Sequence, residues 1–504
     1  MSYKRLTIAM LVAFSVLRLA YLFYSPFAIS PDEAHYWEWS RRLAPSYYSK
    51  GPGVAYAIAF FTSIFGANEF GIRIGAVFFS ALAGYVLYLL GEGLFKSPRT
   101  GFYSALLINI TPIYSIGSIL MTTDVLLVFF WSLTVLCVWK ALNDNSGGGW
   151  WYAAGLSGGF GFLGKYTIAL LFPSVVLFLI FSKREKKWLK RPEPYGGGLL
   201  ALLAVTPVIY WNIVNGQVTI RHTMGQAHLG GGTLSLGPLF EFIGSQIGLI
   251  TPLIFAGLAY GLYRSAKEGL KDGGGPLLAF FTGAPVLLFF IFESVRAKVQ
   301  ANWAVASFIT AFPASVWAFE NLYGRAGQSG KRALRVLAVL GISLGVVGTI
   351  IAYFPSIIEP VAKRIITGPP YNRVTGWREL GDKVSEVKSE MEKNGRVFVA
   401  SDTYQITSEL AFYTEGNPVA YNFNTGGRRM NQYDLWPGYN SLKGYDAVYV
   451  KGGVAGAEGV VLDAFDRCEK EVFTVYRDKR PLKEFSVFRC FNFKGLKEQG
   501  VDRY

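Results

Sequence analysis

A chain of 504 residues that is 51% hydrophobic and only 16% charged is too apolar for a soluble globular protein, where charged residues make up about a quarter. Its formal charge of +15 would suggest nucleic acid in a soluble chain, but here many Lys and Arg residues fall in short loops between apolar runs, where they set membrane orientation. Three cysteines offer no zinc-type ligand spacing.

The chain begins "MSYKRLTIAMLVAFSVLRLAYLFY", a basic start followed by an apolar run. No small-residue cleavage pattern follows and more apolar runs do, so this reads as a retained first span, not a signal peptide. Arg18 lies inside it, near the outer end, either snorkelling or pointing into the bundle. Further runs predict spans near 72–95, 102–121, 125–142, 150–164, 167–182, 196–213, 240–263, 276–293, 303–322 and 336–354, about eleven in all. With the N-terminus inside, Lys4/Arg5, Lys96/Arg99, "KREKKWLKR" (183–191), Arg264/Lys267/Lys271 and Arg325/Lys331/Arg332/Arg335 all fall on one side. Reading 150–182 as a single span would break that pattern. The C-terminal region then lies outside.

The opposite loops mix acids, bases, amides and aromatics: "SPDEAHYWEWSRRLAPSYYSKGPG" (30–53), "TTD" (122–124), "GKYT" (164–167), "RHTMGQAH" (221–228) and "SVRAKVQANW" (294–303). Residues 33–44 and 54–65 suit helices lying in the membrane interface. After residue 355 the pattern changes. An amphipathic helix over 376–395 and a helix in "TYQITSELAFYTEG" alternate with strands in "RVFVASD", "PVAYNF", "YDAVYV" and "FSVFRCFNF". The expected fold is mostly α: a polytopic membrane helical bundle over 1–354 with interfacial helices in its first outer loop, and a small C-terminal α/β domain over 355–504 outside the membrane. Cys468 and Cys490 fall in that domain and can pair if it lies outside the cytoplasm; the sequence leaves the pairing open.

Chemistry-bearing residues concentrate on the outer face. A carboxylate beside apolar surface has a raised pKa and can accept a proton near neutral pH, which makes Asp32 and Glu33 catalytic candidates; Asp32 equally suits a helix cap. Asp124 opens a span on the same face, as a cap or as a second acid of a shared cavity. Lys50, Lys165, Arg221, His222, Arg296 and Lys298 form an outer basic set. Lys165, between two apolar stretches, calls for an anion or must snorkel. Arg296 and Lys298 alternate with Gln300 and Asn302, a pattern suited to phosphate and sugar hydroxyls or to a solvated loop. His35 and Tyr48 complete the candidate substrate contacts.

The segments "SPDEAHYWEWSRRLAPSYYSKGPGVAYAI", "MTTDVLLVFFW", "GFLGKYTIALLFP", "RHTMGQA" and "KVQANW" resemble the bacterial C-type (GT-C) membrane glycosyltransferases. The resemblance is to the dolichyl-phosphate-mannose-protein mannosyltransferase-like group that includes lipid A aminoarabinose and galacturonic acid transferases. It covers nearly the whole membrane part and is most specific in the first outer loop. It implies a polyprenyl-phosphate sugar donor, an inverting transfer with no covalent sugar–enzyme intermediate, and an inner-membrane location with a periplasmic C-terminal domain. It implies that Asp32 is the catalytic first-loop aspartate, with Glu33 and Asp124 as further acids. Lys50, Lys165, Arg296 and Lys298 would hold the donor phosphate, and His35, Tyr48, Arg221, His222, Gln300 and Asn302 the substrates. Lys50 matches the lysine of an "EKP"-like segment that here reads Ser49-Lys50-Gly51-Pro52. The missing acid weakens a metal site built there; no cofactor is required, and a divalent metal is left open.

The favoured acceptor is lipid A or lipopolysaccharide, with Ser/Thr hydroxyls of proteins as the alternative. Arg221, Arg296 or the pair Arg428/Arg429 would serve a uronic acid donor. A membrane transporter is the rival of another class, although transporters gather polar groups near the midplane and often show inverted repeats. A non-catalytic assembly or receptor protein would explain the outer domain but not the acids and bases in the membrane loops.

Overall fold

A computed structural model describes residues 2–143, 148–226, 234–358, 372–426, 431–477 and 479–496; Arg428 and Arg429 lie outside these. The first outer loop holds α2 (Pro31–Ser40) and α3 (Gly53–Phe65), as expected for interfacial helices. Among the described residues six helices are long and apolar enough to cross a bilayer: α1 (Tyr3–Tyr24), α4 (Glu69–Phe95), α7 (Thr123–Asn143), α10 (Pro192–Val214), α14 (Gly274–Ser294) and α16 (Gln328–Tyr353). The chain is a multi-pass membrane protein.

The other five expected spans are helical but short or broken. Pro112 removes a backbone donor and splits 102–121 into α5 (Pro98–Ile110) and α6 (Pro112–Gly117). The stretch at 150–182 divides into α8 (Trp150–Gly164) and, after a 3₁₀ turn at Tyr166–Leu170, α9 (Leu171–Phe181). The run at 240–263 breaks at Thr251, whose φ of 75° precedes Pro252. There α12 (Leu236–Ile250) and α13 (Pro252–Asp272) meet at 106°. The last, at 303–322, is a 3₁₀ segment, Ala301–Phe308, followed by α15 (Ala311–Arg325). Between α10 and α12 a short helix, α11 (Val218–Gln226), returns towards the first outer loop, where the Thr219 hydroxyl donates to the Tyr47 carbonyl (3.1 Å).

The C-terminal domain carries α17 (Trp377–Glu392), α18 (Tyr404–Tyr413) and a five-stranded sheet in the order β2-β1-β3-β5-β4. Strands β1 (Val397–Ser401), β2 (Ala420–Asn422) and β3 (Asp446–Gly452) are parallel. Strands β4 (Arg467–Arg477) and β5 (Arg480–Phe491) extend the sheet antiparallel. Strand β4 is absent from the sequence reading. Its edge position leaves most of its residues part-exposed, so no apolar run marks it. Cys468 and Cys490 face each other across β4 and β5 and form a disulfide.

This domain and the first outer loop share one apolar core. Trp37, Trp39 and Tyr47 cluster with Leu380, Leu410 and Phe412, and Trp37 meets Phe412 edge-on at 4.9 Å. Arg378 grips the Glu69 carboxylate with two bonds (2.7 and 2.5 Å) while Tyr413 donates to it at 2.6 Å. Glu409 of α18 is buried with neither carboxylate oxygen hydrogen-bonded. Burial holds its carboxyl well above the ordinary 4.5, with Lys483 acting in the opposite direction. A raised folded pKa contributes stability in full below the unfolded value and loses it as pH rises through the folded one. Glu409→Gln is therefore expected to raise the unfolding temperature by a few degrees at pH 7. It should also flatten the fall in stability that wild type shows as pH rises past 4.5, measured by thermal unfolding at a series of pH values.

Candidate active site

Helix α2 begins with a capping box. The Ser30 hydroxyl accepts from the Glu33 N–H (3.4 Å), the Glu33 carboxylate accepts from the Ser30 N–H (2.9 Å), and Pro31 opens the first turn. From Pro31 to Trp39 every residue is buried except Asp32. The helix thus presents one carboxylate and hides the rest.

Glu33 is the opposite case. Its carboxylate takes two bonds from Arg73 (both 3.0 Å) and one from the Met121 N–H (3.0 Å), besides Ser30. Arg73 also donates to the Phe27 and Ala28 carbonyls (3.2 and 2.8 Å). An acid with every lone pair taken has none left for an acceptor proton, so the geometry gives Glu33 the work of positioning α2 instead of the catalytic role expected from its place beside Asp32. Arg73→Met would strand that buried charge. We expect a loss of about 3–5 kcal/mol, read as a lowered unfolding temperature, with Arg73→Lys intermediate.

His35 was expected against substrate. The structure instead encloses it among Trp39, Tyr404 and Tyr433 (ring centroids 5.1, 4.9 and 5.2 Å), with Nδ1 on the Ser408 hydroxyl at 3.1 Å. Burial lowers its pKa to about 3, so it is a neutral packing element at the seam with the outer domain. Through that seam Tyr404 donates to Asp32 (3.1 Å).

The second acid is more engaged. Lys165, itself buried, donates to Asp124 Oδ1 (2.5 Å), and Asn302 donates to Oδ2 (2.7 Å). Lys50 joins them: its pKa is lowered by burial and then by the charge of Lys165, with Asp124 and Asp32 opposing. Tyr36 feels both Asp32 and Asp124, which, after burial, push its phenol well above its ordinary range. Lys165 and Asn302 thus bond Asp124 directly, and Lys50 lies within electrostatic range of Lys165, Asp124 and Asp32. The glycines of "KGPG" explain the approach of the two lysines. A side chain at Gly51 would run into the Leu163 carbonyl, and one at Gly53 into the backbone of Gly164, so the segment after Lys50 lies backbone to backbone on the turn that carries Lys165.

The remaining candidates lie elsewhere. Lys298 pairs with Glu241 (2.5 Å), both exposed, and exposed Arg296 lies over the Phe292 ring (5.2 Å). Gln300 and Arg221 are exposed. The Tyr48 N–H donates to Gln432 Oε1 (2.7 Å), and its ring packs on His222 at 4.7 Å. Among the described residues no three His, Cys, Asp or Glu side chains converge as a metal cage. Sequence reading missed Arg73, Tyr36 and Tyr404. Arg73 carried a signal, a charge within an apolar run; the two tyrosines carried none.

Asp124 and Asn302 line one recess, and a second lies beside Tyr166, the chain neighbour of Lys165. One, about 190 Å³, runs from Asp124, Asn302 and Thr122 past Tyr114 to Arg18. The other, about 450 Å³ and almost wholly apolar, lies between α10 and α11 beside Tyr166, whose hydroxyl meets Ser46 (3.1 Å).

A bundle with its polar cluster at the first outer loop, capped by an outer α/β domain, is the C-type glycosyltransferase fold. ArnT from Cupriavidus metallidurans shares it over 95% of this chain and 97% of its own, with a TM-score of 0.65 at 14% identity in the apo state and 0.64 at 15% bound to undecaprenyl phosphate. The oligosaccharyltransferase AglB of Archaeoglobus fulgidus shares it more loosely, with a TM-score of 0.55 at 13% identity, over 91% of this chain and 70% of its own. Residues 49–211 match the family model described as dolichyl-phosphate-mannose-protein mannosyltransferase. A lipid A galacturonosyltransferase of Rhizobium johnstonii is 29% identical over 61% of this chain and 64% of its own length. An undecaprenyl phosphate-α-4-amino-4-deoxy-L-arabinose arabinosyl transferase of Pseudomonas aeruginosa is 31% identical over 34% of each chain. The chain thus matches less than two thirds of the length of each of these curated relatives.

Proposed function

We propose that the protein is an inverting membrane glycosyltransferase that moves a sugar from a polyprenyl-phosphate donor to lipid A or a lipopolysaccharide acceptor on the outer face of the bacterial inner membrane. The observation that carries this reading is the Asp124–Lys165 pair, with Lys50 and Asp32 in electrostatic range, where Asp124 lines a largely apolar cavity in a membrane bundle. Acid and base chemistry meets hydrocarbon there, as a lipid-linked sugar phosphate requires. The names of the relatives support the donor and acceptor classes. The basic residues at the helix ends and the disulfide support an N-terminus inside and a periplasmic C-terminal domain over 355–504.

In this mechanism the acceptor oxygen attacks the anomeric carbon as the bond from that carbon to the phosphate oxygen breaks, inverting the centre. The bonding pair leaves on the phosphate, where Lys50 and Lys165 stabilise the growing charge. If the acceptor is a hydroxyl, Asp32 takes its proton. If it is an ionised phosphate, no base is needed and Asp32 orients the attack. Asp124 holds Lys165 in place, and the apolar groove beside Tyr166 suits a lipid chain. Mass spectrometry of envelope glycolipids from cells with and without the gene tests the reading. Loss of one sugar from lipid A or core is expected. An unchanged glycolipid profile with altered glycoproteins would move the acceptor to Ser/Thr hydroxyls, the alternative that the family description favours.

A further inference from the structure

Arg18 stands apart from the cluster yet opens onto the same cavity. It belongs to α1, six residues before the helix end, about 9 Å deeper along the axis. Its residue is only 3% exposed, so it does not snorkel to water. Among the described residues one guanidinium nitrogen, Nη1, has no hydrogen-bond partner; the other, Nη2, reaches the Asn109 carbonyl at 3.5 Å, and the Phe14 ring lies 5.4 Å away. A fully buried guanidinium with an unbonded N–H is unfavourable unless something supplies an anion. The cavity it lines holds one carboxylate, Asp124, which Lys165 and Asn302 already engage. The exposed wall is mostly apolar, from residues such as Ile108, Ile113 and Val128, with Ser80, Ser118 and Thr122 among its polar members.

From this we infer that Arg18 is an anion-binding residue for the lipid donor, holding an oxyanion of the substrate at the deep end of an apolar cavity whose mouth is Asp124 and Asn302. The inference rests on the proposed transferase reading and adds a residue to it. The anion could be the phosphate of the polyprenyl carrier or a carboxylate on its sugar. The phosphate is the more economical assignment, since the proposed mechanism already places it beside Lys165, whose partner Asp124 lines this cavity.

The test uses the full chain in lipid nanodiscs, with undecaprenyl phosphate and uncharged undecaprenol as probes and binding read by native mass spectrometry. Arg18→Gln is expected to weaken undecaprenyl phosphate by at least about tenfold, the scale of a lost charge-assisted hydrogen bond, and to leave undecaprenol unchanged. Arg18→Lys should recover most of the affinity. Gly117→Leu supplies a second route if the arginine variants fail to fold. It lines the same cavity and has open space around its Cβ position, so the added side chain fills the cavity without a clash. It should weaken undecaprenyl phosphate comparably. Wild-type affinity for undecaprenyl phosphate in Arg18→Gln or Gly117→Leu would overturn the inference. Wild-type affinity for the phosphate together with lost binding of a uronosyl-linked carrier would reassign Arg18 to the sugar carboxylate and equally reject the phosphate. Failure of wild type to bind undecaprenyl phosphate at all would reject the donor class itself, a result separable from any effect at Arg18.

Discussion

Asp32→Asn is expected to lower transfer by about a thousandfold, within the range removed with a general base, while the protein folds and binds undecaprenyl phosphate as before. The structure explains why the two effects should separate. Asp32 contributes little to holding α2, which Glu33, Arg73 and the Ser30 cap secure. Among the described residues its side-chain hydrogen-bond partner is the Tyr404 hydroxyl, and Asn can still accept that bond. The loss should therefore fall on kcat and spare KM for the donor. The size of the loss also reports on the acceptor. A drop of less than about tenfold with folding intact would mean an acceptor that arrives already ionised, leaving Asp32 no proton to take.

The second large effect belongs to the pair beside it. Lys165→Met removes the cation proposed to face the leaving phosphate and strands Asp124 in a half-buried site. Turnover should fall by about a hundred- to a thousandfold, and donor affinity should fall as well. Asp124→Asn should act differently. It frees Lys165 from a 2.5 Å ion pair, so donor binding should hold or tighten while turnover drops because the lysine is no longer aimed. The double variant Asp124→Asn/Lys165→Met should regain the stability of wild type but not its rate. Steady-state kinetics with the lipid-linked donor, beside thermal unfolding, checks all three. Equal losses of rate and stability across the series would make the pair structural.

The polar outer loops were more legible in the sequence than the limits of the individual helices. Hydropathy reports how much of a run is apolar, not whether one helix carries it across. Pro112 and the Thr251–Pro252 break split two apolar runs, and among the described residues six helices reach crossing length on their own. The polar residues of the outer loops were legible because charge beside hydrocarbon stands out. Their sorting was not. Asp32 and Glu33 are neighbours in the chain, yet helical geometry leaves one exposed beside Tyr404 and turns the other onto Arg73, forty residues away. Lys298 and Asn302 share a loop and part company in the same way, one to Glu241 and the other to Asp124. His35 looked like a ligand group because its aromatic enclosure comes from α18 and Tyr433, nearly four hundred residues on. Long-range partners of this kind leave no local pattern to read.

The bonds from Tyr404 to Asp32 and from Arg378 and Tyr413 to Glu69 tie the sheet-bearing domain into the foundations of the bundle. Trimming the chain at residue 354 would not liberate a smaller working enzyme. It would lay bare Trp37 and His35, leave the Glu69 carboxylate without its cation, and loosen the helix that aims the key acid. The extramembrane portion is better regarded as a keystone than as an accessory, and the whole polypeptide as one cooperative body.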